Sequence, residues 1–279
     1  MKYFKQLRRL HDNDLKQIEN VEKKAAAETE FYDREAEEFL AGFREKDLRD
    51  EVDALRAEVN CPERVAGWHK LPFGFRRLGD LRGKRVLDLC CGMGITTTVL
   101  AEHGARVSGM DISPRMIEIA RRNLSVHGVD DRADVSAMSA EALEFEDETF
   151  DLLFGFVGLH HLQPELAGRE AARVLKPGGK AVYIDPISGS ALLRLIRALT
   201  PVACLESPGG GSMSLEDFRT VGRPFSRMQF WWFEMMARLD RLPGMGRHVD
   251  RIHRFDTYLL SRFAWLRRYG RYLVAEYVK

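Results

Sequence analysis

Several features that decide function in other proteins are scarce or missing in this chain. It has four cysteines in 279 residues, Cys61, Cys90, Cys91 and Cys204, and none stands in a C-x-x-C spacing. That excludes a disulfide-stapled scaffold and leaves no zinc-ligand pattern, so a reduced, cytosolic setting fits. No uninterrupted apolar run approaches the roughly 18 residues of a membrane-spanning helix. The first residues are charged from Lys2 onward and carry no apolar stretch, so no secretory leader is read there. A formal net charge of +1 excludes a molecule that binds polyanions such as nucleic acid over its whole surface. Internal repeats and low-complexity segments are also lacking.

What is present is a chain 45% hydrophobic, enough for one large domain with a cap or for two small ones. The stretch Val86-Leu87-Asp88-Leu89-Cys90-Cys91-Gly92-Met93-Gly94-Ile95 organises the rest. Val86, Leu87 and Leu89 form the short apolar run of a covered parallel strand. Asp88 lies near that strand's end. Gly92 and Gly94 let backbone approach a ligand without a Cβ in the way. A helix follows through Thr96, Thr97, Val99, Leu100 and Ala101, and Gly104 suits its stop. A strand, a glycine loop and a helix N-terminus together make a nucleotide-type crevice. A dinucleotide loop would need a third glycine where Thr97 stands, so a pyrophosphate ligand is disfavoured.

Residues 106–110 read as a second strand that ends at Asp111, 23 positions beyond Asp88. An acid about 20 residues past a glycine loop is placed to accept from both hydroxyls of a ribose. Ser113-Pro114 starts a helix, with serine as N-cap and proline in the first turn, and Gly128 stops it. Residues 133–137 make a weak third strand and residues 150–157 a fourth. A helix runs from Pro164 to Val174, and residues 180–185 form a fifth strand. Upstream, residues 1–59 read as three helical segments, through Leu7 to Val21, Phe31 to Phe43 and Leu48 to Val59; residues 61–72 read as a connection.

Residues 86–94 resemble motif I of the class I S-adenosylmethionine (SAM) methyltransferases, V-L-D-x-G-C-G-x-G, with Cys90 in place of the first glycine. Met138-Ser139-Ala140-Glu141-Ala142-Leu143 is similar to the family's adenine-reading G-D-A-E-x-L. His160-His161-Leu162 and Leu175-Lys176-Pro177-Gly178-Gly179 are similar to two further signatures, in the expected order. The resemblance covers about residues 84–185. It implies an α/β fold, a doubly wound Rossmann-like seven-stranded mostly parallel sheet with N-terminal helices and a C-terminal helical cap. The implied division is 1–80, closing the site; 81–186, the SAM-binding core; and 187–279, a cap plus the last two strands, residues 225–230 and 271–279.

The cofactor implied is SAM, with S-adenosylhomocysteine as its product and no metal. Its binding residues would be Asp88, Cys90, Gly92, Gly94, Asp111, Ile112, Ser139, Ala140, Glu141 and Phe156. Relatives often carry a Tyr-Asp pair on an N-terminal helix that closes the site, which points to Tyr32. Catalytic candidates are His160, His161 and Tyr32; a base, where one is needed, would come from these or from Asp185. The (N/D)-P-P-(Y/F) motif of the family's DNA and protein amide methylases is replaced by Gly155-Phe156-Val157-Gly158, which argues against an exocyclic-amine or glutamine target. The reading is methyl transfer to a small or medium, lipophilic organic acceptor with an oxygen, nitrogen or carbon nucleophile. The competing readings are other chemistry on the same cofactor and a SAM-binding protein without turnover.

The C-terminal third departs from the family pattern. Residues 190–205 read as an amphipathic helix, 207–212 as a loop, and residues 230–236 with helical stretches to about 242 and over 248–268 as a cap above the site. Residues 187–279 hold 15 Lys and Arg against 8 Asp and Glu, whereas residues 1–60 hold 12 against 16. A cap apolar inside and basic outside suits a lipophilic acceptor and contact with an anionic membrane surface. The oligomeric state is open.

Overall fold

Seven strands, the central ones buried on both faces, pair into one sheet in this computed structural model, which describes residues 12–42, 45–61, 69–187, 213–236 and 246–279. In chain order the elements are α1 (Asp12–Ala41), α2 (Glu45–Asn60), α3 (Lys70–Leu78), β1 (Arg85–Leu89), α4 (Ile95–Glu102), β2 (Arg106–Asp111), α5 (Pro114–His127), β3 (Ala133–Ala137) and β4 (Phe150–Phe156). They continue with α6 (Pro164–Val174), β5 (Leu175–Pro186), α7 (Leu215–Gly222), β6 (Arg227–Phe233), α8 (Val249–Arg262) and β7 (Tyr272–Val278). The sheet order is β3-β2-β1-β4-β5-β7-β6. Strands β1 to β5 run parallel, and β7 is antiparallel to both β5 and β6. The Rossmann-like, mostly parallel sheet expected from the sequence is therefore observed.

Two apolar layers sandwich the sheet because successive strand residues point to opposite faces. Val86, Val107, Phe154 and Val182 pack with α2 to α5 on one side. Leu87, Met110, Leu153 and Tyr183 pack with α6 and α7 on the other. Helix α5 begins and ends where its caps place it: the Ser113 side chain accepts from the Met116 N–H, Pro114 sits in the first turn, and Gly128 adopts a left-handed φ of 63°.

The structure corrects the sequence reading in three places. The first two N-terminal segments join into the single 30-residue helix α1. Part of the supposed connection is the helix α3, which tolerates Pro72 because a first-turn N–H has no intrahelical partner. Gly74 in α3 rests directly on β5: a Cβ there would stand 2.6 Å from Ile184 Cδ1. The penultimate strand starts and ends later than expected, so Trp231 and Trp232 belong to the edge strand β6 and not to a cap. Trp231 packs edge-on against Phe73 with centroids 5.1 Å apart, and Arg267 lies 5.0 Å over Trp232. Half-buried Phe230, Trp231 and Trp232 lead into buried Phe233, so no alternation shows in this continuous apolar run. Leu7, Leu10, the helix at 190–205, the loop at 207–212 and the stretch reaching 242 lie outside the described residues.

Candidate functional site

The loop leaving β1 is built around two carboxylates that do different things. Asp88 is buried, and its Oδ2 accepts hydrogen bonds from the hydroxyls of Thr96 (2.7 Å) and Thr97 (2.6 Å) in the first turn of α4. It therefore ties strand to helix and does not line the cavity described below. Burial pushes its pKa up to about 6, against the lowering effect of the two hydroxyls. The folded protein thus holds this proton more tightly than the unfolded chain. Its contribution to stability is greatest below the ordinary value of 3.8, declines as pH rises to about 6 and is level above it, an effect on the order of 3 kcal/mol. Replacement by asparagine, which keeps an acceptor for the threonines, is expected to flatten that part of the stability curve. Urea midpoints for both proteins between pH 4 and 7 measure it; parallel curves would exclude Asp88 as the source.

Asp111 ends β2 and faces the cavity. Its Oδ2 accepts from the Gly92 N–H at 2.9 Å and its Oδ1 from the Ser113 N–H at 3.0 Å. The acid is raised by burial, which the backbone donors oppose. One lone pair on each oxygen is used to hold the loop, and the others are left for a ligand. Gly94 caps α4 with φ 74°, and a Cβ there would come within 3.0 Å of the Ala120 Cβ, so the loop passes close over α5. Cys90 has φ 57°, a conformation that explains why glycine is usual at this position in the family it resembles. Gly158 makes room for the cysteine: a Cβ on residue 158 would lie 2.5 Å from that of Cys90. Val157, at the end of the adjacent strand β4, is also left-handed at φ 57°, which for a β-branched residue is strain of about 1–3 kcal/mol. Both strained residues line the cavity.

The two histidines part company. His160 turns away from the cavity, and its Nδ1 lies 2.7 Å from Asp185 Oδ1. The Leu159 and His160 N–H groups donate to the same carboxylate, each at 3.2 Å. Asp185 is fully buried. His161 lines the cavity. Its Nε2 is 3.1 Å from the Tyr32 hydroxyl and its Nδ1 is 3.4 Å from Glu28 Oε2. With Nδ1 facing Glu28 as an ion-pair contact, Nε2 is left to accept the tyrosine proton. Burial holds the His161 pKa below its ordinary value of 6.5, reinforced by His160; Glu28 opposes the shift.

Tyr32 reaches the site because α1 is pinned across it. Asp33 Oδ1 accepts from the Ser113 hydroxyl at 2.5 Å and from the Arg115 N–H at 3.2 Å, at the N-terminus of α5 where a negative charge is favoured. Residues 24, 25, 28 and 32 fall on one face of α1 and line the cavity together.

The resulting cavity has a volume of about 250 Å³ and opens at the carboxyl ends of β1, β2 and β4. In an open α/β sheet that is where ligands bind. It gathers Tyr32, Cys90, Gly92, Asp111, Ile112, Ser139, Ala140, Glu141 and His161 from the set the sequence singled out. Asp88, Gly94, Phe156 and His160 do not line it. Phe156 points instead into the layer on the α3 side, as strand alternation requires once Gly155 and Val157 are placed. Glu141 accepts the Gln163 N–H at 2.6 Å, and the Ser139 hydroxyl accepts from the Glu141 N–H at 3.2 Å. Sequence reasoning missed Glu28, Met93, Met110, Met116 and Leu162. For Glu28 the signal was available, since it stands four residues before Tyr32. No group of His, Cys, Asp and Glu among the described residues is arranged to hold a metal.

Residues 86–179 match the family model described as a methyltransferase domain. The chain is 38% identical over 111 residues to a demethylmenaquinone methyltransferase of Clavibacter sepedonicus, a match covering 39% of this chain and 44% of that one. It is 36% identical over 103 residues to a sterol 4-C-methyltransferase of Caenorhabditis elegans, covering 36% and 30%. The chain therefore spans less than half the length of these curated relatives. A geranyl diphosphate C-methyltransferase from Streptomyces coelicolor shares the fold, with a TM-score of 0.52, 16% identity and coverage of 80% of this chain and 87% of that one.

Proposed function

We propose, on the premise that residues 86–179 are a class I SAM-dependent methyltransferase domain, that the protein moves the methyl group of SAM to a small or medium lipophilic acceptor. The observation that carries this reading is the single cavity that brings the ribose acid, the glycine loop and the Tyr32–His161 pair together. When bound, SAM supplies an electrophilic methyl carbon on a positively charged sulfur. The residues fit it. Asp111 has spare lone pairs for the ribose hydroxyls. Gly92, where a Cβ would meet nothing within 4 Å, leaves space over the loop. Ser139, Ala140 and Glu141 offer polar and apolar contacts to a base.

The chain's own groups then have three tasks. Helix α1, anchored by Asp33, excludes water from above. Cys90, Val157 and Gly158 wall the cavity on the strand side and hold the acceptor against the cofactor, since alignment supplies much of the rate in a displacement of this kind. Tyr32 Oη takes up the acceptor's proton as its own passes to His161 Nε2, with Glu28 balancing the imidazolium.

A lipophilic acceptor is favoured by the walls formed by Met93, Met110, Met116, Ile112 and Leu162, and by relatives named for sterol and demethylmenaquinone substrates. Such acceptors reside in membranes, and the basic C-terminal third suits an anionic one. Incubation with methyl-labelled SAM and quinol, sterol and prenyl acceptors tests the proposal. Label recovered in an acceptor supports it. SAM consumed without methylation, or bound and returned intact, would overturn it.

Asp111→Asn provides a test of the cofactor site. The new amide must aim its N–H at either Gly92 or Ser113, donor against donor, and it loses the charge. Affinity for S-adenosylhomocysteine is expected to fall roughly tenfold to a hundredfold, by the 1.5–3 kcal/mol of one charged hydrogen bond. Calorimetry showing unchanged affinity would remove Asp111 from the site.

A further inference from the structure

Five large apolar side chains are exposed among the described residues, and four of them fall within eleven positions: Phe255 (54% exposed), Tyr258 (60%), Phe263 (41%) and Trp265 (59%). They have a common origin in α8. Its Ile252, His253, Asp256 and Leu260 face the protein. Positions 251, 255, 258 and 262 share the opposite face, which presents Arg251, Phe255, Tyr258 and Arg262 to solvent. The 3-10 turn Ala264–Tyr269 continues the surface with Trp265 and Arg268. The acids of this region are engaged elsewhere. Asp250 is hydrogen-bonded to His69 at 3.0 Å, and buried Asp256 accepts the N–H groups of Met235 and Met236. The face is thus aromatic and one-signed.

Its position follows from the sheet. Strand β6 ends at Phe233 opposite Tyr272, the first residue of β7, and β7 pairs Tyr272 with Pro186 at the carboxyl end of β5. The segment between β6 and β7 therefore leaves and re-enters the sheet at the carboxyl edge, the edge on which the cavity opens. Asp256, at the middle of α8, is bonded to the chain just past the end of β6.

We propose that the face carrying Arg251, Phe255, Tyr258, Arg262 and Trp265 rests on an anionic lipid bilayer and turns the cavity edge toward it. Arginine around exposed Phe, Tyr and Trp is the composition of an element that lies in the headgroup region: the rings occupy the boundary and the guanidiniums meet the phosphates. No described helix is long and apolar enough to cross the membrane. The charge of one sign selects anionic lipid over a second copy of the chain, which would bring arginine against arginine. The inference deepens the proposed function by naming where a lipophilic acceptor is met.

The full chain is mixed with vesicles of phosphatidylcholine alone or with phosphatidylglycerol, without cofactor or acceptor, and sedimented. It is expected to pellet with the anionic vesicles at low salt and to be released as screening shortens from about 30 Å at 0.01 M to about 8 Å at 0.15 M ionic strength. Each arginine near such a surface contributes about fivefold in partition, so Arg251→Ala with Arg262→Ala weakens binding about thirtyfold. Trp265 emission shifts to the blue on binding, and Trp265→Phe removes that shift. Thermal midpoints and S-adenosylhomocysteine affinity of the variants stay at the wild-type values, so loss of folding is told from loss of docking. Failure to pellet with anionic vesicles at low salt, or variants that pellet as the wild type does, overturns the proposal. So does self-association that the same variants abolish. A protein that methylates acceptors but ignores vesicles sinks this inference alone, whereas one that pellets but binds no cofactor sinks only the proposed function.

Discussion

His161→Ala is expected to lower kcat by about two to four orders of magnitude, the range of a lost proton-transfer partner, with a much smaller change in S-adenosylhomocysteine affinity. The imidazole contacts both Glu28 and the Tyr32 hydroxyl and so links the two. In the wild type, kcat/KM rises with pH through a group below 6.5, because burial favours neutral His161 and a neutral ring is the form that accepts a proton. Tyr32→Phe removes the hydroxyl and is expected to lose a similar factor. Glu28→Gln acts through the ring: it withdraws the charge that raises the His161 pKa, so the profile moves to lower pH and kcat falls by less. Full activity with an unshifted profile in both His161→Ala and Tyr32→Phe would mean that positioning alone carries the reaction and would remove the relay.

The largest expected effect on stability comes from Asp185→Ala. Three donors converge on this buried carboxylate: the Leu159 and His160 N–H groups and His160 Nδ1. Without it they lose their acceptor at once, and about 3–5 kcal/mol of stability is expected to go with them. The same bonds hold the turn Leu159–His161, so His161 loses its place and turnover falls as well. His160→Ala removes one donor and leaves the backbone pair, so it is expected to cost less stability. Because His160 helps to hold the His161 pKa down, the pH profile is expected to move to higher pH. Urea unfolding of the two variants separates these effects. An Asp185→Ala protein within 1 kcal/mol of wild type would show that the turn is held by packing, not by the carboxylate.

Both experiments turn on residues that stand side by side in the sequence and do opposite work. Nothing local distinguishes His160 from His161, because a turn residue's direction depends on which neighbour supplies a partner. Asp185 is 25 positions away from His160, and Tyr32 is 129 away from His161. Asp88 and Asp111 pose the same problem. Both are strand-end acids near one glycine loop, but two threonine hydroxyls draw Asp88 into the start of α4, whereas backbone N–H groups leave Asp111 open to the cavity. The sequence does not place Phe156 because β4 is buried on both faces and shows no alternation, nor Trp231 because residues 230–233 of β6 form an unbroken apolar run; nine residues containing Pro72 and Gly74 carry little helical signal for α3.

By itself the sequence determined the order of strands and helices from residue 85 to residue 186, the caps of α5, the glycine loop and the acid that follows it. These are written in short-range terms: apolar periodicity, capping side chains and fixed spacings act over a few residues and need no knowledge of the far chain. Only the tertiary structure decided which acid and which histidine meet the cavity, that Glu28 completes the constellation, and that α8 presents arginines and aromatic rings to solvent at its edge. Those outcomes depend on burial and on partners brought together across the fold, and a side chain's environment is set by what packs against it rather than by its neighbours in sequence.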